Sequence, residues 1–294
     1  MNFKNLLDIS DLNREDLLEI LNFSENLKNK NEYFLNDKNI GLIFEKNSTR
    51  TRLSFQAGIN QLNGNYIDIK LNELNLDRFE SYEDTFEIMS CYLDCLVFRT
   101  NDHQKLEKAN EYFHKPIINA LTDKSHPCQA ISDIFTLKEQ FGRIENLNIS
   151  WLGDMNNVLY SLIEITNILG GFNINIFTDE KIYTNLKSKF NLTENIKVNF
   201  ELNYDLLSLS DCIMTDVYNS MNDKHDKEIL LSKFQVNSEL MAKSKDDAIF
   251  MHCLPAKVGS EVTSEVIKGK KSIVLSQARN RMIAQKGILK WLDI

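Results

Sequence analysis

The 294-residue chain carries 34 basic and 42 acidic residues, a net charge of −8, with 43% hydrophobic and 26% charged positions. That balance excludes a disordered chain, and the acidic excess argues against a general polyanion binder, whose affinity rests on neutralising many phosphates. Only 10 Gly and 3 Pro are present, far below average shares of roughly 7% and 5%, which excludes collagen-like and Pro- or Gly/Ser-rich architectures.

Short apolar runs alternate with helix-period segments along the whole chain. A first helix follows Asn13, with Leu17, Leu18, Leu21 and Leu27 on one face. Asn39–Phe44 (NIGLIF) reads as a buried strand, residues 48–62 as a helix and Asn65–Ile69 as a strand. Ser81, with Asp84 three residues on, opens a helix through Tyr92 in the manner of a capping box. Cys95–Arg99 and residues 117–119 are further strands, and Pro127–Phe141 is a helix. Strands are then expected at Asn148–Leu152, Asn173–Phe177, 197–200, Cys212–Thr215, Ile249–His252 and 272–275, with a last helix over 277–292.

This alternation predicts an α/β protein of two doubly wound parallel-sheet domains, with the active site in the cleft between them. The expected division is 1–130 plus a C-terminal helix at about 277–294 packing back on it, and 131–276. Five cysteines, odd in number and sparse, fit reduced thiols better than a disulfide framework. No stretch reaches about 18 consecutive apolar residues and no apolar leader opens the chain. A cytoplasmic protein is expected, with neither a membrane nor a nucleic acid as partner.

In doubly wound sheets, ligands bind beyond the carboxyl ends of the strands, so the residues just after each strand carry most weight. Glu45-Lys-Asn-Ser-Thr-Arg-Thr-Arg52 follows the first strand. Ser48 and Thr49 can cap the next helix, whose free N–H groups favour an anion. Arg50 and Arg52 in the first turn run against the helix dipole, which predicts a compensating ligand such as phosphate. Arg99 ends a strand and points a charge into the crevice. In His126-Pro-Cys-Gln129, Pro127 suits the first helical position, leaving His126 and Gln129 at the helix start, where a histidine can donate to a carbonyl oxygen gaining charge.

Gly153-Asp-Met-Asn-Asn157 sits where a dinucleotide loop would, with one glycine in place of three, so no nicotinamide cofactor is expected. Its two asparagines suit a zwitterionic substrate. Asp216-Val-Tyr-Asn-Ser-Met221 and His252-Cys-Leu-Pro-Ala256 follow two further strands, and Cys253 is the cysteine best placed to face a ligand. The His and Cys spacings do not match structural zinc sites, so no metal is expected. Taken singly, these segments also fit ordinary caps, strand-end arginines and loop histidines.

Together they resemble the aspartate/ornithine carbamoyltransferase family, in order and over nearly the whole chain. The resemblance rests on Phe44-Glu-Lys-Asn-Ser-Thr-Arg-Thr-Arg52, Phe98-Arg-Thr100, HPCQAISD from His126 to Asp133, and Gly153 to Asn157. It continues through Asp216 to Met221, MHCLPA from Met251 to Ala256, and Asn280-Arg281 with Ala284-Gln-Lys286. Ser220-Met221 and His252-Cys-Leu-Pro255 look like its ornithine branch.

The resemblance implies transfer of the carbamoyl group of carbamoyl phosphate to the δ-amine of L-ornithine, giving citrulline and phosphate, with no cofactor. It makes the first domain the carbamoyl phosphate-binding one and the second the ornithine-binding one. It assigns carbamoyl phosphate to Ser48, Thr49, Arg50, Thr51, Asn75, Arg99, His126, Pro127, Cys128, Gln129, Cys253, Leu254 and Arg281. Thr51, Arg99 and His126 would polarise the carbonyl oxygen. Ornithine falls to Asn157, Asp216, Ser220 and Met221, with Cys253 beside Asp216 as the proton relay. It further implies a cis Leu254–Pro255 bond and a homotrimer whose sites are shared between subunits. Two alternatives stay open on the residues alone, a different amine acceptor or a carbamoyl phosphate-binding regulator without turnover.

The chain departs from the family pattern in its loops. Asn75-Leu-Asp-Arg-Phe-Glu-Ser81 replaces QLGRGES, Tyr218 replaces a common Trp, Asn222 a Gly, and Lys257-Val258 a His-Arg. These changes bear on loop closure and affinity more than on the reaction.

Overall fold

The computed structural model describes residues 3–30, 32–76, 79–219 and 226–294. They form two compact units, one of residues 1–135 with 279–294 and one of residues 136–278.

The first unit runs α1 (Arg14–Asn29), β1 (Asn39–Phe44), α2 (Thr49–Gln61), β2 (Asn65–Ile69), α3 (Tyr82–Tyr92), β3 (Cys95–Arg99), α4 (His103–Tyr112), β4 (Ile117–Leu121) and into α5 (Pro127–Phe141). Its four strands are all parallel, in the order β2-β1-β3-β4. Ile40, Leu42, Ile43, Leu96, Val97 and Phe98 are wholly buried, because helices cover both faces of such a sheet. The strand order reverses between β1 and β3, and there Glu45 N–H donates to the Arg99 carbonyl at 3.0 Å. A ligand crevice belongs at that point.

Helix starts follow side-chain chemistry. Asn13 caps α1 and Ser81 caps α3, each in a reciprocal capping box with Asp16 or Asp84, which satisfies two otherwise orphaned N–H groups. On α1, Leu17, Ile20, Leu21, Ser24 and Leu27 are buried. Leu18, expected on that face, is 37% exposed. The buried stripe is one residue further round, because α1 packs against the C-terminal helix at Ser24.

The second unit continues with β5 (Asn148–Leu152), α6 (Asn157–Leu169), β6 (Asn173–Phe177), α7 (Glu180–Leu186), β7 (Ile196–Asn199), α8 (Tyr204–Ser208) and β8 (Cys212–Thr215). It ends with α9 (Glu228–Leu231), α10 (Ser238–Lys243), β9 (Ile249–His252), α11 (Ser264–Ile267) and α12 (Val274–Trp291). Its parallel sheet has the order β7-β6-β5-β8-β9, reversing between β5 and β8.

The strand expected at 272–275 does not form. Only a single bridge joins Ser272 to Phe250, and the Gln277 N–H already bonds the Ile273 carbonyl at 2.9 Å. The β-branched run Ile273-Val274 is therefore the start of α12, and Leu275 is 79% exposed.

The later part of α12 belongs to the first unit. Lys286, 5% exposed, donates to the Leu27 carbonyl at 3.0 Å and to Gln61 Oε1 at 3.1 Å, and burial lowers its pKa. Trp291 Nε1 donates to Asp16 Oδ1 at 3.0 Å. Gly287 lets the backbones of α1 and α12 approach, since a Cβ there would meet Ser24 Oγ and come 2.7 Å from the Ile20 carbonyl. Gly287→Ala should therefore destabilise by about 1–3 kcal/mol, the usual cost of overpacking, and a thermal melt checks it. An unchanged midpoint would show that the two helices separate at no cost.

Candidate active site

In the first unit the predicted groups gather at the start of α2. Ser48 is the N-cap by backbone conformation, yet its hydroxyl makes no capping bond, so the first N–H groups of α2 keep their donors for an anion. Two guanidinium groups converge on one hydroxyl: Arg99 Nη1 lies 3.5 Å from Thr51 Oγ1, and Arg281 Nη2 donates to the same oxygen. Thr51 and Arg281 are 1% and 4% exposed. Arg50 is half-buried in the same turn.

Arg52 is not part of this group. It lies 3.8 Å from Asp68 and over the Phe44 ring at 5.1 Å, so a carboxylate of β2 compensates its charge and no ligand is needed.

His126 precedes α5 and is 4% exposed, with its carbonyl accepting from the Gln129 and Ala130 N–H groups. Burial, then the charges of Arg281 and Arg99, hold its pKa well below the ordinary value. The imidazole is thus neutral at physiological pH, able to donate a hydrogen bond without adding a third positive charge. Pro127 opens α5, where its missing N–H costs nothing. The Cys128 thiol turns into the core, donating to the Asn119 carbonyl at 3.3 Å, and burial pushes its pKa up to about 12. Asn75 is exposed, and its carbonyl closes a turn onto Phe79 and Glu80 N–H. Nothing joins its side chain to the arginine group among the described residues.

The turn leading to His126 is braced from α4. His103 Nδ1 lies 2.9 Å from Thr122 Oγ1, and the His103 backbone N–H donates to Asp123 Oδ1 at 2.9 Å. Burial and then Lys124 lower the His103 pKa, against opposing pulls from Asp8, Glu107 and Asp123. Both imidazoles accept protons more readily in the unfolded chain, whose histidines titrate near about 6.5. Their contribution is therefore complete above about pH 6.5 and is lost as pH falls from there toward the lower folded values. Urea midpoints should drop between pH 7.5 and pH 5.5, and drop less in His103→Asn. Midpoints that stay level across that interval would contradict both shifts.

In the second unit the groups gather where β5 and β8 end. Gly153 has φ +124°, and a Cβ there would lie 3.0 Å from the Tyr218 ring, so only glycine turns the chain here. Asp216 is 7% exposed and uses both oxygens. The Cys253 thiol donates to Oδ1 at 3.1 Å, and Asn156 Nδ2 donates to Oδ2 at 2.7 Å. The asparagine that meets Asp216 is thus Asn156, the N-cap of α6, while Asn157 is the first residue of that helix. Ser220 and Met221 lie outside the described residues.

The loop carrying Cys253 and Leu254 is held by groups the motif reading passed over. His252 and Glu261 are both wholly buried. His252 Nδ1 accepts from the Leu254 N–H at 2.9 Å, so its proton sits on Nε2, which faces Glu261 Oε1 at 3.1 Å. The same Glu261 oxygen accepts from the Lys257 N–H at 2.6 Å. Leu254 takes a left-handed conformation with φ +60°, and its bond to Pro255 is cis, as the resemblance implies. Asp216, His252 and Cys253 bring ligand-type atoms within 4.8 Å of one another. His252 is engaged by the Leu254 N–H and by Glu261, and the Cys253 thiol donates to Asp216. A polar residue spaced nine beyond His252 was the only sequence trace of Glu261.

The description "Aspartate/ornithine carbamoyltransferase, carbamoyl-P binding domain" matches residues 4–139, and its "Asp/Orn binding domain" counterpart matches residues 145–292. The chain belongs to the aspartate/ornithine carbamoyltransferase family. It is 39% identical to the ornithine carbamoyltransferase of Methanocaldococcus jannaschii, over 98% of each chain. It superposes on the crystal structure of ornithine carbamoyltransferase from Burkholderia thailandensis with a TM-score of 0.89, at 33% identity over 98% of each chain. For the enzyme from Pyrococcus furiosus the TM-score is 0.86, at 34% identity over 97% and 96% of the two chains. The residues gathered in the first unit lie within the first match except Arg281, which falls in the second, and those gathered in the second unit lie within the second match.

Proposed function

We propose that this chain is an ornithine carbamoyltransferase, with carbamoyl phosphate held by the first unit and L-ornithine by the second. The convergence of Arg99 and Arg281 on Thr51, at an uncapped helix start beside a neutral His126, carries the reading. Ser48, Thr49, Arg50 and Thr51 bind the phosphate through hydroxyls, N–H groups and a guanidinium. Thr51, Arg99 and His126 donate to the carbamoyl carbonyl oxygen, where negative charge grows as the tetrahedral centre forms.

The δ-amine reacts with its lone pair, so its ammonium must first lose a proton, against a pKa near about 10. Asp216, already accepting the Cys253 thiol proton, is the base that draws that proton toward the loop. Asn157, Ser220 and Met221 hold the α-amino and carboxylate ends. A C–N bond forms, the C–O bond to phosphate breaks, and the phosphate leaves with that electron pair, taking up the second amine proton while the arginines neutralise its charge. Positioning and fixed charge supply the rate.

A homotrimer with shared sites is the assembly we infer. Leu53, Tyr66, Ile67, Ile88 and Tyr92 of the first unit are exposed. β2 is the edge of its sheet, and residues 65–68 are open to solvent. An edge of that kind invites a covering partner, and the exposed Asn75 would then reach a neighbour's phosphate. A cytoplasmic location is the one we infer. No helix among the described residues is long and apolar enough to cross a membrane.

Citrulline formed by purified protein from millimolar carbamoyl phosphate and ornithine tests the activity. No product, or equal product from putrescine, would sink it. Light scattering tests the assembly, and a monomer at working concentration would refute it.

A further inference from the structure

Gln129 is the third residue of α5 and Asp133 lies one turn on. Both are wholly buried. Gln129 Nε2 donates to Asp133 Oδ1 at 2.8 Å. A carboxylate offers acceptors and, when ionised, no proton. The reverse amide orientation would press two acceptor oxygens together, so the amide of Gln129 has one allowed orientation. Its other end, Oε1, is buried with no donor among the described residues, and a buried acceptor left without a donor is costly. The site is thus one hydrogen-bond donor short.

The groups gathered at Thr51 and His126, the latter three residues before Gln129, offer the opposite polarity. Arg99, Arg281, His126 and the first N–H groups of α2 are donors, matched to phosphate and carbonyl oxygens. In carbamoyl phosphate the only donor is the NH2 group. Acetyl phosphate has the same shape with a methyl in that place. We propose that Asp133 is a specificity-determining positioning residue, which locks the Gln129 amide with Oε1 toward the carbamoyl NH2 and so selects carbamoyl phosphate over acyl phosphates. The inference rests on the carbamoyl phosphate reading of the first unit. A site built to satisfy a substrate N–H rejects the analogue lacking it far more strongly than an apolar pocket can.

Calorimetry on the full-length protein tests this without requiring turnover, using carbamoyl phosphate and acetyl phosphate as the two probes. The wild type should prefer carbamoyl phosphate by about 100-fold or more. In Asp133→Asn, whose amide can pair with Gln129 in either orientation, carbamoyl phosphate should weaken by about 10- to 100-fold and acetyl phosphate by less than about threefold. Asp133→Ser should behave alike should the asparagine variant fold poorly. The double variant Gln129→Glu with Asp133→Asn, in which a carboxylate accepts from the new amide and keeps an oxygen free, should recover part of the preference.

Equal weakening of both probes would mean that Asp133 only supports packing, and an unchanged ratio would overturn the proposal outright. Weak binding of both probes by the wild type, or binding without citrulline formation, would count against the parent reading instead. In the first of those cases Asp133 has no specificity to set, and in the second the variant ratios still decide.

Discussion

Arg99→Met is expected to lower kcat/KM for carbamoyl phosphate by about 10³-fold, equivalent to about 4 kcal/mol of transition-state stabilisation. Arg99 ends β3 at the point where the strand order reverses, and its guanidinium meets Thr51 Oγ1 at 3.5 Å. Methionine keeps an unbranched apolar stem and removes the charge and the donors. The loss should fall on kcat as much as on KM, because charge on the carbonyl oxygen is greatest in the transition state. His126 would feel the change as well. One of the two charges depressing its pKa is gone, so that pKa should rise and the acid limb of the pH profile move toward neutrality. A variant within tenfold of wild type would remove Arg99 from the proposed oxyanion site.

Asp216→Asn should cost about 10³-fold in kcat/KM for ornithine while leaving carbamoyl phosphate affinity within about threefold. Asp216 accepts two hydrogen bonds, from the Cys253 thiol and the Asn156 amide. An asparagine must turn its NH2 toward one of those donors, so one bond becomes a repulsion between like groups. The base proposed for the δ-ammonium disappears at the same time. Steady-state kinetics with ornithine varied, beside calorimetric titration of carbamoyl phosphate, separate the two effects. A matching loss for both ligands would point to misfolding, and no loss would exclude Asp216 as the base.

Much of this site could be read from the chain because its residues fall at strand ends. Phe44, Arg99, Leu152 and Thr215 close strands whose apolar runs are short and bounded, so the residues after them were recognisable as crevice residues. The parts that escaped depend on partners distant in sequence. Arg52 looked like a phosphate ligand until Asp68 of β2 and the Phe44 ring accounted for it. The run 272–275 has strand composition, but a single bridge to Phe250 cannot outweigh the helical bonds that begin at Ile273.

Local chemistry alone determined the alternating α/β order, the capping boxes at Asn13 and Ser81, and the ordered family segments, since each needs only neighbours within a few residues. Which side chains are donors and which acceptors was decided only by tertiary structure. Glu261 accepts from His252, Asp133 orients the amide of Gln129, and Asn156 rather than Asn157 holds Asp216. The physical reason is burial. Away from water each polar group must find its complement inside the protein, and which group is near enough depends on how the strands and helices pack.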